Sequence, residues 1–297
     1  MTEYINGYQD YLKKQKSASA NTIESYMRDI MAYTQYLSVK GFNNPLSATA
    51  DNIRQYLDNL LSMNKTQSTV TRSLASVRSF YQYLIAHSYI TANPTNGIKL
   101  NKIEKKLPDI LSKKEIEMLL AAPDISDTKG IRDKAMLELL YATGIRVSEL
   151  IDANVTDVNT QIGILHCKSD KNERVVPMYP IAIKAIDDYM KRVRPFLRTE
   201  ENEQALFTNM NGQRMTRQGF WKIIKYYADS CGIKKSITPH TIRHSFAAHL
   251  LENGAGLSDI KEMLGHSDIS STQIYSQLMK QKYASAYKTF HPRSVAK

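Results

Sequence analysis

Apolar residues recur every three to four positions through most of this chain, and where they do they predict helices. Between Asn21 and Leu37 they fall at Ile23, Tyr26, Met27, Ile30, Tyr33 and Leu37; Asn21 and Glu24 are spaced as a capping box, and Gly41 stands near the end. A second stripe runs through Ile53, Tyr56, Leu57, Leu60 and Leu61, and a third through Val70, Leu74, Val77, Tyr81 and Leu84. With the opening segment from Tyr4 to Leu12 these predict a unit of four helices. The pattern then breaks. From Ala92 to Pro108 the chain carries the turn dipeptides Asn93-Pro94 and Asn96-Gly97 and a basic run with Lys99, Lys102, Lys105 and Lys106. Turn residues mixed with charge read as an exposed linker.

Past the linker, Ser112 and Glu115 form another capping box and open a helix ending near Pro123. A longer helix is expected from about Ile131 to Thr143, stopped by Gly144. The periodicity changes between Val155 and Tyr179, where Ile162–Cys167 and Arg174–Tyr179 read as short strands around the polar turn from Ser169 to Asn172. Helices resume near Pro180, after Thr216 as far as Gly232, and from Thr238-Pro239 to Gly254. The expected fold is mainly α in two domains. A helical N-terminal bundle over 1–98 is followed by a linker over 99–110. A mostly helical α+β domain with a small antiparallel sheet then occupies 111–297.

Charge changes this picture more than bulk composition does. The 297 residues hold 40 Lys and Arg against 29 Asp and Glu, a formal net charge of +11. Both the segment through Lys106 and the remainder share the basic excess. Such a balance suits a polyanionic partner engaged by both halves. Two cysteines, Cys167 and Cys231, are too few for a disulfide framework or a zinc cluster and fit a reducing cytoplasm. No apolar run reaches membrane-span length, and Met1-Thr2-Glu3-Tyr4 does not open a signal peptide, so a cytoplasmic protein off the membrane is expected.

Three separated clusters concentrate polar chemistry. They are Thr143-Gly-Ile-Arg146-Val-Ser-Glu149-Leu150, then His240-Thr-Ile-Arg243-His244, then Leu264-Gly-His266 followed nine positions later by Tyr275. Singly each has an ordinary structural reading: a solvated helix-end arginine, capping or core imidazoles, an amphipathic packing tyrosine. His240 and His244 have the spacing of zinc-protease histidines, but Thr241 stands where the general-base Glu would be. Together the clusters resemble the tyrosine recombinases, also called the phage integrase family, in order, spacing and flanking residues. That resemblance spans nearly the whole chain and is strongest to bacterial Xer site-specific recombinases, which end in a segment like His291-Pro-Arg293.

The resemblance implies a catalytic set of Arg146, Lys168, His240, Arg243, His266 and Tyr275, with Tyr275 as nucleophile. It implies two domains closing on duplex DNA as a C-shaped clamp. It also implies a homo- or hetero-tetramer on paired recombination sites, and strand exchange through a Holliday junction. The last helix, with Met279, Tyr283, Tyr287 and Phe290, would dock on a neighbouring subunit. A second Xer recombinase and a septal DNA translocase are the further partners implied, and resolution of chromosome dimers the implied role. The alternatives are a phage or transposon integrase, a type IB topoisomerase, and a DNA-binding protein without activity.

The chemistry supports the assignment on its own terms. A phosphotyrosine conserves the energy of a broken phosphodiester. Two guanidiniums, Arg146 and Arg243, can meet the non-bridging oxygens in paired hydrogen bonds, the role metal ions take in other phosphoryl-transfer enzymes. No Asp/Glu cluster of metal-binding type is visible in the sequence, so neither metal nor other cofactor is expected. A lysine can protonate the leaving 5′-oxygen, and His240 and His266 can handle protons near neutral pH. The hairpin reads Cys167-Lys-Ser-Asp-Lys-Asn-Glu-Arg174, one residue longer than the family's usual Lys-to-Arg spacing. Lys168 ends the apolar strand and is favoured over Lys171 in the turn. Glu149 is expected to hold local geometry, and His87, His166, His244 and His249 to be structural.

Overall fold

The computed structural model describes residues 2–14, 16–100, 108–168, 173–197, 199, 204–265 and 274–276. The chain divides into two compact units, Met1–Lys105 and Lys106–Lys297.

The first unit consists of α1 (Thr2–Lys14), α2 (Ala20–Val39), α3 (Ala50–Ser62) and α4 (Gln67–Ala86), with a 3-10 turn at Pro45–Ser47. The predicted stripes form its core: Ile30, Tyr33, Leu37, Ile53, Tyr56, Val70, Val77, Tyr81 and Leu84 are buried together with Tyr8 and Phe80. The periodic pattern overreaches at Leu61, which is exposed at the end of α3. Tyr33 and Tyr81 share a hydroxyl contact of 2.8 Å, and Tyr81 donates onward to the Pro45 carbonyl at 2.9 Å, so neither phenol is buried without a partner. The cap of α2 differs from expectation. Ser19, in extended backbone, accepts from the Thr22 N–H, and Asn21 lies inside the first turn. Both residues have capping chemistry, and the one with extended φ and ψ takes the position.

The second unit is built around α6 (Thr128–Thr143), which is buried along nearly its whole length and packs on α8 (Pro180–Arg192) and α11 (Pro239–Glu252). A helix enclosed on all sides has little amphipathic signal. The helix α5 (Lys113–Ala121) opens with the predicted Ser112–Glu115 capping box. Thr216 caps α10 (Arg217–Ser230), and Thr238 caps α11 with Pro239 in its first turn, as the sequence predicts. Short α7 (Val147–Asp152), α9 (Arg194–Leu197) and α12 (Leu257–Leu264) join them, with a 3-10 turn at Val155–Asp157.

The sheet has three antiparallel strands in the order β1 (Val158–Asn159), β2 (Ile164–Cys167), β3 (Arg174–Pro177). Its register pairs Ile164 with Pro177 and Cys167 with Arg174. Both predicted strands are present but shorter. Gly163 adopts φ +70° in the turn before β2, and Tyr179 becomes the N-cap of α8. The two-residue β1 was not anticipated, because a strand that short carries no alternation to read.

Candidate active site

Gly144 ends α6 in a left-handed conformation at φ 57°. A Cβ here would lie 2.2 Å from the Phe246 ring of α11, so the close approach of α6 to α11 requires glycine. The turn delivers Arg146 to the N-cap of α7, where Glu149 caps the helix by accepting the Arg146 N–H at 2.7 Å. The same carboxylate accepts from the Arg146 side chain at 3.0 Å, which aims a guanidinium left 38% exposed.

The helix α11 presents His240, Arg243 and His244 along one face, at spacings of three and four. Arg243 is only 4% exposed. It donates from Nη1 to the Gly144 carbonyl at 2.6 Å and from Nη2 to the Leu264 carbonyl at 2.7 Å. Burial, reinforced by the Arg146 charge, lowers its pKa to about 10, so it stays cationic at neutral pH. Partial burial, with the charges of Arg243 and Arg146, also holds His240 below the usual imidazole range. The Arg146 charge is thus a common cause of the lowering at Arg243 and at His240.

The end of α12 draws these pieces together. Three successive carbonyls accept from three different guanidiniums: Met263 from Arg174 Nε at 2.7 Å, Leu264 from Arg243 Nη2 at 2.7 Å, and Gly265 from Arg146 Nη2 at 2.7 Å. Carbonyls at a helix C-terminus lack intrahelical donors and sit at the negative end of the dipole, so cations suit them. Arg174 also grips Glu149 through both nitrogens of its fork, at 2.8 and 2.9 Å. Burial alone would raise the Glu149 pKa. Hydrogen bonds from Arg174 and the Arg146 backbone, with both guanidinium charges, outweigh it and hold the carboxyl below the ordinary range. Two guanidiniums meet one carboxylate and Arg243 adds a third positive charge nearby, which leaves a net positive site suited to an anion.

Tyr275 packs with Phe246, Ala247, Ile260 and Leu264 and is 1% exposed. Its hydroxyl lies 2.8 Å from Nδ1 of His244. Burial, then the charges of His240 and Arg243, pushes His244 down to about 4, so the imidazole is neutral and shares one hydrogen bond with the phenol. Burial raises the Tyr275 pKa against the opposing pull of Arg243. In this conformation the phenol is protonated and sheltered. His249, by contrast, bridges Tyr141 at 2.9 Å and the Leu111 carbonyl at 3.0 Å, a structural place.

Comparison with known proteins follows the geometry. The profile of the phage integrase family matches residues 109–282, and that of the phage integrase N-terminal SAM-like domain matches residues 5–88. The tyrosine recombinase XerD of Staphylococcus epidermidis is 42% identical over 295 residues, covering 99% of this chain and 100% of that protein. The XerD of Oceanobacillus iheyensis is 43% identical over 303 residues, covering 99% and 100%. The chain belongs to the tyrosine recombinase family. It is a site-specific recombinase that cleaves and rejoins DNA strands, and DNA is its partner. Among solved structures, XerA recombinase matches with a TM-score of 0.55 and 27% identity over 98% of this chain and 99% of that one. XerH bound to a palindromic difH substrate matches in fold at a TM-score of 0.78 and 21% identity, over 94% and 82%.

Within the recombinase, the described structure brings Arg146, Arg243 and His240 into one charged site and places Tyr275 against its edge through His244. Lys168 follows β2, and its Nζ pairs with Asp157 at 2.7 Å while the side chain is 63% exposed. That hydrogen bond and the Asp157 charge raise its pKa. His266 and Lys171 lie outside the described residues, as do Met279, Tyr283, Tyr287, Phe290 and the His291-Pro-Arg293 segment. Sequence reasoning passed over two residues. The sequence predicts a structural His244; four residues after His240, its Nδ1 lies 2.8 Å from the Tyr275 hydroxyl. Arg174 was treated as a strand residue, and only its register opposite Cys167 shows which way it reaches. Among the described residues no three His, Cys, Asp or Glu side chains converge as a metal site, and no helix is long and apolar enough to cross a membrane.

Proposed function

We propose that Tyr275 attacks the scissile phosphate of a specific duplex site, forming a 3′-phosphotyrosine and releasing a 5′-hydroxyl. The observation that carries this reading is the seating of Arg146 and Arg243 on adjacent carbonyls, Gly265 and Leu264, with Tyr275 packed on Leu264 itself. Two guanidiniums fixed side by side suit the two non-bridging oxygens of one phosphate, whose negative charge grows in the transition state. His240 and His266 donate to the same group. The 5′-hydroxyl of the cut strand, or of its partner strand, then attacks the phosphotyrosine and reverses the step, so exchange needs no outside energy source.

The similarity to XerD proteins over the full chain supports resolution of chromosome dimers as the cellular role, in the cytoplasm, in preference to integration of a mobile element. The assembly proposed is a tetramer on two sites, homomeric or with a second Xer recombinase, under control of a septal DNA translocase. The domain organisation proposed is core DNA binding over 1–98, a linker over 99–110, and catalysis over 111–297. The test is covalent trapping. On a nicked suicide duplex carrying its own site, the protein should accumulate a denaturation-resistant adduct at a 3′-phosphate, unaffected by excess chelator. An adduct that chelator removes would overturn the mechanism.

Lys168 is proposed as the acid that protonates the leaving 5′-oxygen. Its pairing with Asp157 raises its pKa and holds its ammonium at the end of β2. A substrate with sulfur at the bridging 5′ position has a leaving group that needs no proton. Lys168→Ala should cleave normal DNA about 10²–10⁴-fold slower, the usual range for general acid catalysis, and regain most of that rate on the sulfur substrate. Rescue of Lys171→Ala in place of Lys168→Ala would move the role to Lys171.

A further inference from the structure

We propose that Arg174 is a positioning residue for the cleavage step, holding Arg146 and Arg243 in register on a single phosphate. The inference rests on the reading that those two arginines bind the scissile phosphate.

The geometry is specific. Arg174 uses Nε on the Met263 carbonyl and both terminal nitrogens on Glu149, so each of its three nitrogens is bonded to protein. Its guanidinium is buried, unlike that of Arg146. What it does is join two elements that each hold a catalytic arginine. Glu149 caps α7 and fixes Arg146 by its backbone and by its side chain. Met263 precedes the carbonyls of Leu264 and Gly265, which hold Arg243 and Arg146. Arg174 thus locks the start of α7 to the end of α12, and the distance between the two phosphate-binding guanidiniums follows from that lock.

A third element is tied in. Arg174 is the first residue of β3 and pairs with Cys167, the last rung of the ladder before Lys168. Any shift of Arg174 therefore also moves the strand end from which the proposed acid projects. The fit extends to Gly265. At φ +62° it sits so close that a Cβ would lie 2.7 Å from Arg174 Nη1 and 2.9 Å from Cζ. Glycine in this motif leaves room for a guanidinium as well as permitting the left-handed turn. Lysine could not serve at 174, because one ammonium cannot meet a carbonyl and both oxygens of a carboxylate in one plane.

The experiment uses the full-length protein and a nicked duplex carrying the site recovered by crosslinking the protein to its own chromosome. Arg174→Ala, Arg174→Lys, Arg146→Ala and Arg243→Ala are compared for duplex affinity and for the single-turnover rate of adduct formation. Misplacement of a catalytic group by about an ångström costs on the order of 100-fold in rate. Arg174→Ala and Arg174→Lys should each lose about that much rate while binding duplex within a few fold of wild type. Millimolar methylguanidinium should restore a large part of the rate to Arg174→Ala and none to Arg174→Lys, whose ammonium fills the vacated space. Arg174→Lys keeps a cation beside Glu149, so it decides the matter if Arg174→Ala does not fold. If either folded Arg174 variant cleaves like wild type while Arg146→Ala and Arg243→Ala are inactive, the positioning role is wrong and the phosphate reading survives. If Arg146→Ala and Arg243→Ala also cleave normally, the phosphate reading itself falls. A loss confined to DNA affinity would make Arg174 a DNA contact and would equally overturn the proposal.

Discussion

Tyr275→Phe should form no covalent adduct on a nicked duplex where the unaltered protein accumulates one. Phenylalanine keeps the ring that packs with Phe246, Ile260 and Leu264 and removes only the oxygen proposed to attack phosphorus. The loss leaves His244 Nδ1 without its phenol partner, which costs about 1–3 kcal/mol for a buried polar group. Domains are typically stable by about 5–15 kcal/mol, so the variant should fold. It should also bind its site as before, because affinity for duplex comes largely from phosphate contacts spread over many basic residues. The chain has 18 tyrosines, so peptide mapping of the wild-type adduct must accompany the gel. An adduct that persists in Tyr275→Phe, or maps to another tyrosine, would remove Tyr275 from the mechanism.

Arg243→Ala is expected to reduce cleavage by at least about 10²–10³-fold, the usual cost of deleting one preorganised donor to a developing oxyanion. The effect has two sources in this fold. The guanidinium is the cation buried deepest in the site, and it also satisfies the carbonyls of Gly144 and Leu264. Its removal therefore loosens the junction of α6, α11 and α12 as well as the phosphate site. A lower melting temperature should accompany the lost rate. Arg243→Lys would keep the charge but not the paired contacts, and its rate should stay closer to that of Arg243→Ala than to wild type. Binding measured across a salt series should keep a steep slope, since counterion release at the remaining contacts is unaffected. Near wild-type cleavage by Arg243→Ala would contradict the two-guanidinium site.

The helical architecture was legible because its signals are local. Stripes such as Ile30, Tyr33 and Leu37 bury as their spacing predicts, and the caps at Ser112, Thr216 and Thr238 stand where the sequence puts them. The order and spacing of Arg146, His240, Arg243 and Tyr275 pointed to one proposed site. The joints between them were not legible. Arg174 reaches Met263 across 89 positions, and His244 meets Tyr275 across 31, and neither contact leaves a periodic trace. The helix α7 was missed because its cap is made by Glu149 reaching back to a backbone N–H, with no Ser, Thr, Asp or Asn at the capping position. The N-cap of α12 is Gly256, which has no side chain to cap with.

Each of the three arginines has a peptide carbonyl among its acceptors, and this bears on how the region would look to mutagenesis. An alanine scan across Met263 and Leu264 changes what those residues bury but leaves both oxygens where they are. Only Gly265 would stand out, and for reasons of space. A tolerance map would then show a quiet stretch beside the reacting groups. Replacing the amide whose carbonyl belongs to Leu264 by an ester, through semisynthesis, weakens that acceptor without altering any side chain. Chemistry on the main chain can therefore reach a part of this site that codon changes leave untouched.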